Sequence, residues 1–285
     1  MNGIFIVDKP EGMTSRAVVD EVCRRFALSK AGHLGTLDPM ATGVLPVCAG
    51  KGTRLGQFLP NAPKEYTGTI RLGFSTTTYD REGVKTSEER PIEISREKIK
   101  DAMRSLTGAL DQVPPPFSAK KVGGVRSYKL ARKGRPVDIA PVRVTVDEFG
   151  MTAFEPPLIH FRVVCSPGTY IRSLAHDLGQ LLGCGAHLTE LRRTRSGEFK
   201  IAEAIPLESL EVSHLIALEV LLDSWPRIDV SETEEVKVLH GNEIQRDAAG
   251  EFARIFNKKG DFIAVGTLEN GWVRPRLVLT SITSD

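Results

Sequence analysis

The stretch AGHLGTLDPMATGVLPV, Ala31 to Val47, sets one carboxylate, Asp38, directly before a proline and among glycines at 32, 35 and 43. Asp-Pro and Gly are ordinary turn formers, so its plainest reading is a loop. The flanks give that loop a setting. GIFIVDKPEGMTS before it predicts a short buried strand ended by Pro10 and Gly12, then a helix started by Thr14 or Ser15 and running through RAVVDEVCRRFAL. ATGVLPVCAG after it is β-branched, apolar and strand-like. A turn held between two buried elements is where a scaffold presents functional groups.

The chain has 285 residues, 41% of them hydrophobic, enough for one large domain or a domain with a small module. Lys and Arg number 38 against 36 Asp and Glu, and the net charge of +2 names no partner by itself. Cys23, Cys48, Cys165 and Cys184 are far apart and form no C-x-x-C pair. That spacing argues against a zinc ribbon, a redox dithiol or a disulfide framework, so reduced thiols and a cytoplasmic setting are expected. The first apolar run meets Asp8 and Lys9 too soon for a signal peptide. No run approaches the roughly 18 apolar residues of a membrane helix, so no membrane partner is expected.

Further along, EYTGTIRLGFS predicts a strand and SREKIKDAMRSLTG a helix with a Ser start and a Gly stop. QVPPPFSAKKVGGVRSYKLARKGRPVDI then breaks regular structure. It carries Lys120, Lys121, Arg126, Lys129, Arg132, Lys133 and Arg135 with no acid before Asp138. PLIHFRVVCSPGTYIRSLAHDLGQLLG predicts a strand, a Pro-Gly turn and an amphipathic helix with Leu174, Leu178, Leu181 and Leu182 on one face. The corner before that helix holds Thr169, Tyr170 and Arg172. AHLTELRRTRSGEFKI adds a second basic cluster, Arg192, Arg193 and Arg195. LLDSWPRIDV predicts a boundary at Pro226. The strand-rich remainder has eight basic and ten acidic side chains, which leaves the first 226 residues four positive charges in excess.

Several chemistries find no support. CAGKGTR fails the P-loop pattern, because Leu45 stands five positions before Gly50 and Gly52 follows Lys51; its expected role is a strand-ending turn. The six histidines show no H-E-x-x-H, and no G-x-S-x-G elbow is present. No metal, nucleotide or other cofactor is expected. Asp38 remains either a turn former or a nucleophile, the latter needing a nearby cation and a stiff backbone. Pro39 supplies stiffness, and the glycines permit close approach of a substrate. The cations of the irregular stretch are interleaved with Phe117 and Tyr128, which suits an arm that grips phosphates and stacks on unpaired bases. Nucleic acid is the partner this pattern favours over a merely solvated charged face.

With those residues assembled, the chain resembles the bacterial TruB family of tRNA pseudouridine(55) synthases. The blocks are DKPEGMTS (8–15), GHLGTLDPMATGVLPV (32–47), KEYTGTIRLG (64–73), CSPGTYIRSLAHDLG (165–179) and AHLTELRRTRSGEF (186–199). The resemblance implies an α+β (mixed α/β) pseudouridine synthase fold with a largely antiparallel central sheet over 1–226. A looser likeness implies a small PUA-like β-barrel that binds RNA over 227–285. Asp38 then matches the catalytic aspartate, Arg172 the arginine that pairs with it, and Tyr66 the active-site tyrosine that packs on the base. A pair of charges about 4 Å apart is worth roughly 4 kcal/mol at an effective dielectric of 20.

Leu191 matches an apolar wall of the uracil pocket, and His33 a histidine that takes the space vacated by the uridine. Gly35, Thr36 and Lys9 join the substrate-binding set, although Lys9 and Pro10 serve equally well as a buttress of the Asp38 turn. The segment about 117–140, with Lys120, Lys121, Arg126, Tyr128, Lys129, Arg132 and Lys133, resembles an RNA-binding thumb. Arg192 and Arg193 are expected to add RNA contacts. Thr77 stands where the family commonly has an acid, which puts the hydrogen bonds of that loop in doubt.

The implied reaction is isomerisation of uridine 55 in the T-loop of tRNA after the base is flipped out. The sequence leaves open whether Asp38 acts at C6 of the base or at the sugar. The implied partner is the T-arm stem-loop, the implied state a monomer. Two other readings compete: a guide-dependent subunit of box H/ACA particles, and an RNA-binding or RNA-folding protein without catalysis.

Overall fold

The computed structural model describes residues 1–58, 62–117, 121–122, 125–126 and 139–279. The chain opens with β1 (Gly3–Lys9), α1 (Ser15–Arg25), β2 (Ala31–His33) and β3 (Thr42–Ala49). Phe5 and Val7 of β1 join the main core, while Ile4 and Ile6 join a smaller cluster with Val44 and Cys48. A strand buried on both faces needs such an unbroken apolar run. The Thr14 hydroxyl accepts from Ala17 N at 3.0 Å and starts α1, whose Val18, Val19 and Val22 are buried. CAGKGTR departs from the expected turn: a 3-10 helix spans Gly50–Gln57.

Next come β4 (Lys64–Leu72), α2 (Arg96–Ser105) and β5 (Gly108–Gln112). Ser95 starts α2, its hydroxyl accepting from Lys98 N at 3.2 Å. The short strands β6 (Lys121–Val122) and β7 (Val125–Arg126) pair as a hairpin, with Lys121 opposite Arg126 in the register. Lys120, Tyr128, Lys129, Arg132 and Lys133 of the expected thumb lie outside the described residues.

A hairpin of β8 (Val142–Glu155) and β9 (Leu158–Cys165) leads to α3 (Ile171–Leu182) and β10 (Ala186–Ser196). β11 (Phe199–Lys200), β12 (Ile205–Pro206), β13 (Ile216–Ala217) and the single turn α4 (Leu218–Leu221) follow.

Among the described residues the larger sheet has eleven strands along the order β12-β1-β3-β10-β4-β9-β8-β5, with β2, β11 and β13 paired at its side. It is antiparallel except at β12–β1 and β3–β10. Val22 of α1, Met103 of α2 and Leu178 of α3 meet in one core with Phe5, Ile70 and Phe161 of the sheet. At the parallel contact Gly43 is required. A Cβ there would stand 2.2 Å from the backbone oxygen of Arg193, and its φ is +100°.

The second sheet is built from β14 (Arg227–Asp229), β15 (Ile244–Gln245), β16 (Phe252–Phe256), β17 (Phe262–Glu269) and β18 (Trp272–Val278), in the order β14-β16-β17-β18-β15. Helix α5 (Glu232–Leu239) packs on it, and Ile228, Val238, Ile255, Ile263 and Val273 form its own core. Leu55, Leu218 and Leu222 meet Val265, Leu277 and Leu279 where the two sheets' structures adjoin. The mixed α+β architecture, the largely antiparallel central sheet and the small PUA-like β module agree with the expected fold.

Candidate active site

The Asp38 turn between β2 and β3 is held by backbone and side-chain contacts. Ser15 Oγ accepts from Leu37 N at 2.8 Å and donates to Leu37 O at 3.0 Å. Ala41 N donates to Asp38 O at 3.1 Å, and Gly12 N to Pro39 O at 2.9 Å. Arg193 Nη2 donates to Gly35 O at 3.0 Å. With Pro39 fixing its own φ, the turn has little freedom. Its carboxylate, 35% exposed, lines a cavity of about 720 Å³.

Arg172 enters that cavity from the first turn of α3. The start of the helix is fixed by Gln112, whose Oε1 accepts from Tyr170 N at 2.7 Å while Nε2 donates to Tyr170 O at 3.0 Å. Arg172 Nε and Nη2 donate to Oδ2 and Oδ1 of Asp38 at 2.8 and 3.1 Å. Such a two-pronged charged contact fixes orientation as well as charge. The remaining donors are also used: Nη1 reaches Thr78 O at 3.0 Å and lies 3.4 Å from Asp80 Oδ2, and Nη2 reaches Phe117 O at 3.0 Å.

Asp80 is a site residue that the sequence reading does not single out. It is as buried as Arg172, each side chain being 6% exposed. Its loop does not lack hydrogen bonds for want of an acid at position 77. Thr77 Oγ1 accepts from Val84 N at 3.1 Å, Thr77 N donates to Val84 O at 2.9 Å, and Asp80 Oδ1 accepts from Glu82 N at 3.0 Å.

Tyr66 of β4 and Leu191 of β10 line the same cavity, as do Gly35 and Thr36. Burial pushes the Tyr66 phenol above the usual tyrosine value, with the nearby Arg193 charge opposing it. The ring therefore offers an apolar face and a neutral hydroxyl. The structure thus gathers Asp38, Arg172, Tyr66, Leu191, Gly35 and Thr36 around one space.

His33 stands elsewhere. It lines a neighbouring cavity of about 790 Å³ with Phe58, Phe199 and Trp225, and the two cavities share Gly35 and Lys64. Burial lowers the His33 pKa, the Arg193 and Arg16 charges reinforce this, and its Nδ1 finds no hydrogen-bond partner among the described residues.

Two expected contacts are corrected. Lys9, expected at the substrate, has no exposed surface; its Nζ donates to Pro10 O at 2.7 Å and Pro39 O at 3.2 Å. Burial brings its pKa down to about 8 against the opposing pull of Asp38. It is a buttress under the Asp38 turn. Arg193, expected to grip RNA, also has no exposed surface, and Nε donates to Val44 O at 2.7 Å. A phosphate has no route to it. Arg192 stays at the surface, but its guanidinium donates to both Asp8 oxygens at 3.1 and 2.7 Å.

Comparison with known proteins adds a family to this geometry. Residues 24–171 match the N terminal domain of the TruB family pseudouridylate synthases, 172–227 the tRNA pseudouridylate synthase B C-terminal domain, and 226–279 the C-terminal part of pseudouridine synthase II TruB. The tRNA pseudouridine synthase B of Solibacter usitatus (strain Ellin6076) is 43% identical over 279 residues, 93% of this chain and 95% of that protein. The protein of the same name from Pseudomonas aeruginosa (strain UCBPP-PA14) is 40% identical over 295 residues, 99% of this chain and 97% of its own length. A solved Cbf5–Nop10–Gar1 complex contains a chain of 28% identity and TM-score 0.69, with 98% of this chain and 85% of that one covered. The two partners of the Asp38–Arg172 contact fall in different matched regions, which the fold brings together. On these matches over nearly its whole length, the chain belongs to the TruB family of pseudouridylate synthases.

Proposed function

We propose that this pseudouridine synthase isomerises uridine 55 in the T-loop of tRNA, with Asp38 as the nucleophile and the target base flipped out of its stack. The observation that carries the proposal is the meeting of Asp38, Arg172 and Tyr66 in one cavity of about 720 Å³. The N1–C1′ bond breaks, uracil turns within the cavity and C5 joins C1′, and the bond that Asp38 makes to the nucleotide on the way is broken again before the product leaves. Atoms and electrons balance within the nucleotide, apart from the C5 proton, which is exchanged for one at N1.

Arg172 aims the Asp38 carboxylate through its two hydrogen bonds. The Tyr66 ring and Leu191 give the detached base an apolar wall, and the neutral Tyr66 hydroxyl stands ready for the late proton movement at C5. Everting a base costs a few kcal/mol, which contacts with the rest of the RNA must offset. Residues 1–226 form the catalytic part in this proposal, the thumb about 117–140 and residues 227–285 add RNA binding, and the enzyme acts as a cytoplasmic monomer.

The relatives named tRNA pseudouridine synthase B, at 40 to 43% identity, support tRNA over a guided substrate better than the Cbf5 neighbour at 28% supports the reverse. The test is a T-arm stem-loop transcript tritiated at uridine C5, incubated with the protein alone. Stoichiometric tritium release from one uridine is the expected result. Its absence without guide RNA and partner proteins, with release in their presence, overturns the proposal in favour of a guided enzyme.

A further inference from the structure

The cations in and around the site differ in how their charge is met. Arg172 faces Asp38 and Asp80, Arg192 faces Asp8, and Arg162 faces Glu65 and Glu148. The ammonium of Lys64, the first residue of β4, has no carboxylate or hydrogen-bond partner among the described residues, although the side chain is half-buried. Its Nζ lies against the Asp38 turn, so near that a Cβ on Gly35 would stand 2.7 Å from it. Its charged neighbour is another cation, Arg193, whose donors go to the carbonyls of Val44 and Gly35 rather than to an acid.

Holding an ammonium half out of water beside a buried guanidinium is unfavourable on both counts, desolvation and like charge. Both effects lower the pKa of Lys64 from its ordinary value, burial being the larger; the nearby Cys165 opposes them, but burial raises its own pKa to about 11 and keeps it a neutral thiol. A packed core does not need this arrangement, since an apolar side chain would fill the space at no such cost. The missing element is a negative charge that arrives from outside. Lys64 lines both the Asp38 cavity and the adjoining His33 cavity, so its ammonium stands at their junction. A uracil ring carries no charge, and the anions that travel with an everted nucleotide are the phosphates on either side of it.

We propose that Lys64 holds a backbone phosphate flanking the target uridine, at the junction of the two cavities, and so positions the nucleotide over Asp38. The inference rests on the proposed entry of an RNA nucleotide into the Asp38 cavity. It also gives buried Arg193 an indirect part: its uncompensated charge deepens the local positive potential that Lys64 presents to the phosphate.

The experiment uses the full-length protein and the T-arm stem-loop, unmodified or with a neutral methylphosphonate at the 5′ or 3′ phosphate of the target uridine. Tritium release by the wild type on the unmodified stem-loop must come first, and its failure rejects the proposed function rather than the role of Lys64. Lys64→Met is expected to weaken binding roughly tenfold or more. It should also make the slope of log affinity against log salt shallower by about 0.7, the share of one single-stranded phosphate. One methylphosphonate should harm the wild type by a similar factor and leave Lys64→Met unaffected, and Lys64→Arg should restore most of the affinity. Lys64→Gln serves the same comparison if Lys64→Met does not fold. An unchanged salt slope, or a variant that loses as much as the wild type on both methylphosphonates, overturns the assignment.

Discussion

Asp80 Oδ2 stands 3.4 Å from Nη1 of Arg172, on the edge of the guanidinium that Asp38 leaves free. One buried cation thus has two carboxylates, one inside the loop that follows β4 and one presented to the cavity. Replacing Asp80 by Asn keeps the shape and removes half of that balance. Folding stability should fall by about 1.5–3 kcal/mol, the range for a hydrogen bond to a charged group. Turnover should fall roughly tenfold or more as Arg172 is drawn from its aim, while RNA affinity stays within a few-fold. Single-turnover tritium release, set beside filter binding, separates the two effects.

Asp38→Asn retains the turn, because Ser15, Gly12 and Arg193 hold its backbone rather than its side chain. It should bind the stem-loop as the wild type does and release no tritium. Activity close to wild type in this variant refutes the nucleophile assignment.

Tyr66→Phe removes a hydroxyl and leaves the ring that lines the cavity. Loss of a proton-transfer group slows catalysis by roughly 10²–10⁴-fold. The expected result is a drop of that order in single-turnover rate with unchanged RNA affinity. A rate within twofold of wild type assigns the late proton to another group.

Asp177, on α3, carries a carboxyl whose pKa burial raises to about 6. A folded-state value above the unfolded one means that the protonated acid is favoured by folding. The contribution of this group is fully present below about pH 4 and is lost as pH rises through about 6. Asp177→Asn should therefore be more stable than the wild type at pH 7 and equal to it near pH 4, as read from urea midpoints at the two pH values. An advantage that grows on acidification contradicts the burial argument.

Gly43→Ala places a methyl 2.2 Å from Arg193 O at a residue with φ +100°. The clash and the left-handed backbone together should cost on the order of 3 kcal/mol. Chemical denaturation measures it, and a loss under about 1 kcal/mol indicates that β3 and β10 can part without harm.

How much of this was legible in the sequence follows from what each residue depends on. β1, α1, β3 and α2 declare themselves, since their apolar spacing and the Thr14 and Ser95 caps are local. β8 hides behind two irregularities of register, between Val146 and Glu148 and between Met151 and Ala153, which break its alternation. β10 reads as a basic surface cluster because a fully buried arginine bonded to two backbone carbonyls has no signature in one dimension.

The site divides in the same way. The glycines and proline around Asp38 declare a turn, and the family resemblance is what singles out its carboxylate. Asp80 and Lys64 become meaningful only when contacts across the fold show one with a buried cation and the other without an anion. Lys9 and Arg193 fail as surface contacts for a related reason, since charge is visible in a sequence and burial is not.

The guanidinium of Arg172 is also a knot. It ties the chain at Phe117 to the loop at Thr78 and to the turn at Asp38. None of the three strands of that knot can slide alone. A pull on the chain at Phe117 reaches the Asp38 carboxylate through two successive hydrogen bonds, so in the proposed function substrate grip and chemical readiness would share one mechanical anchor.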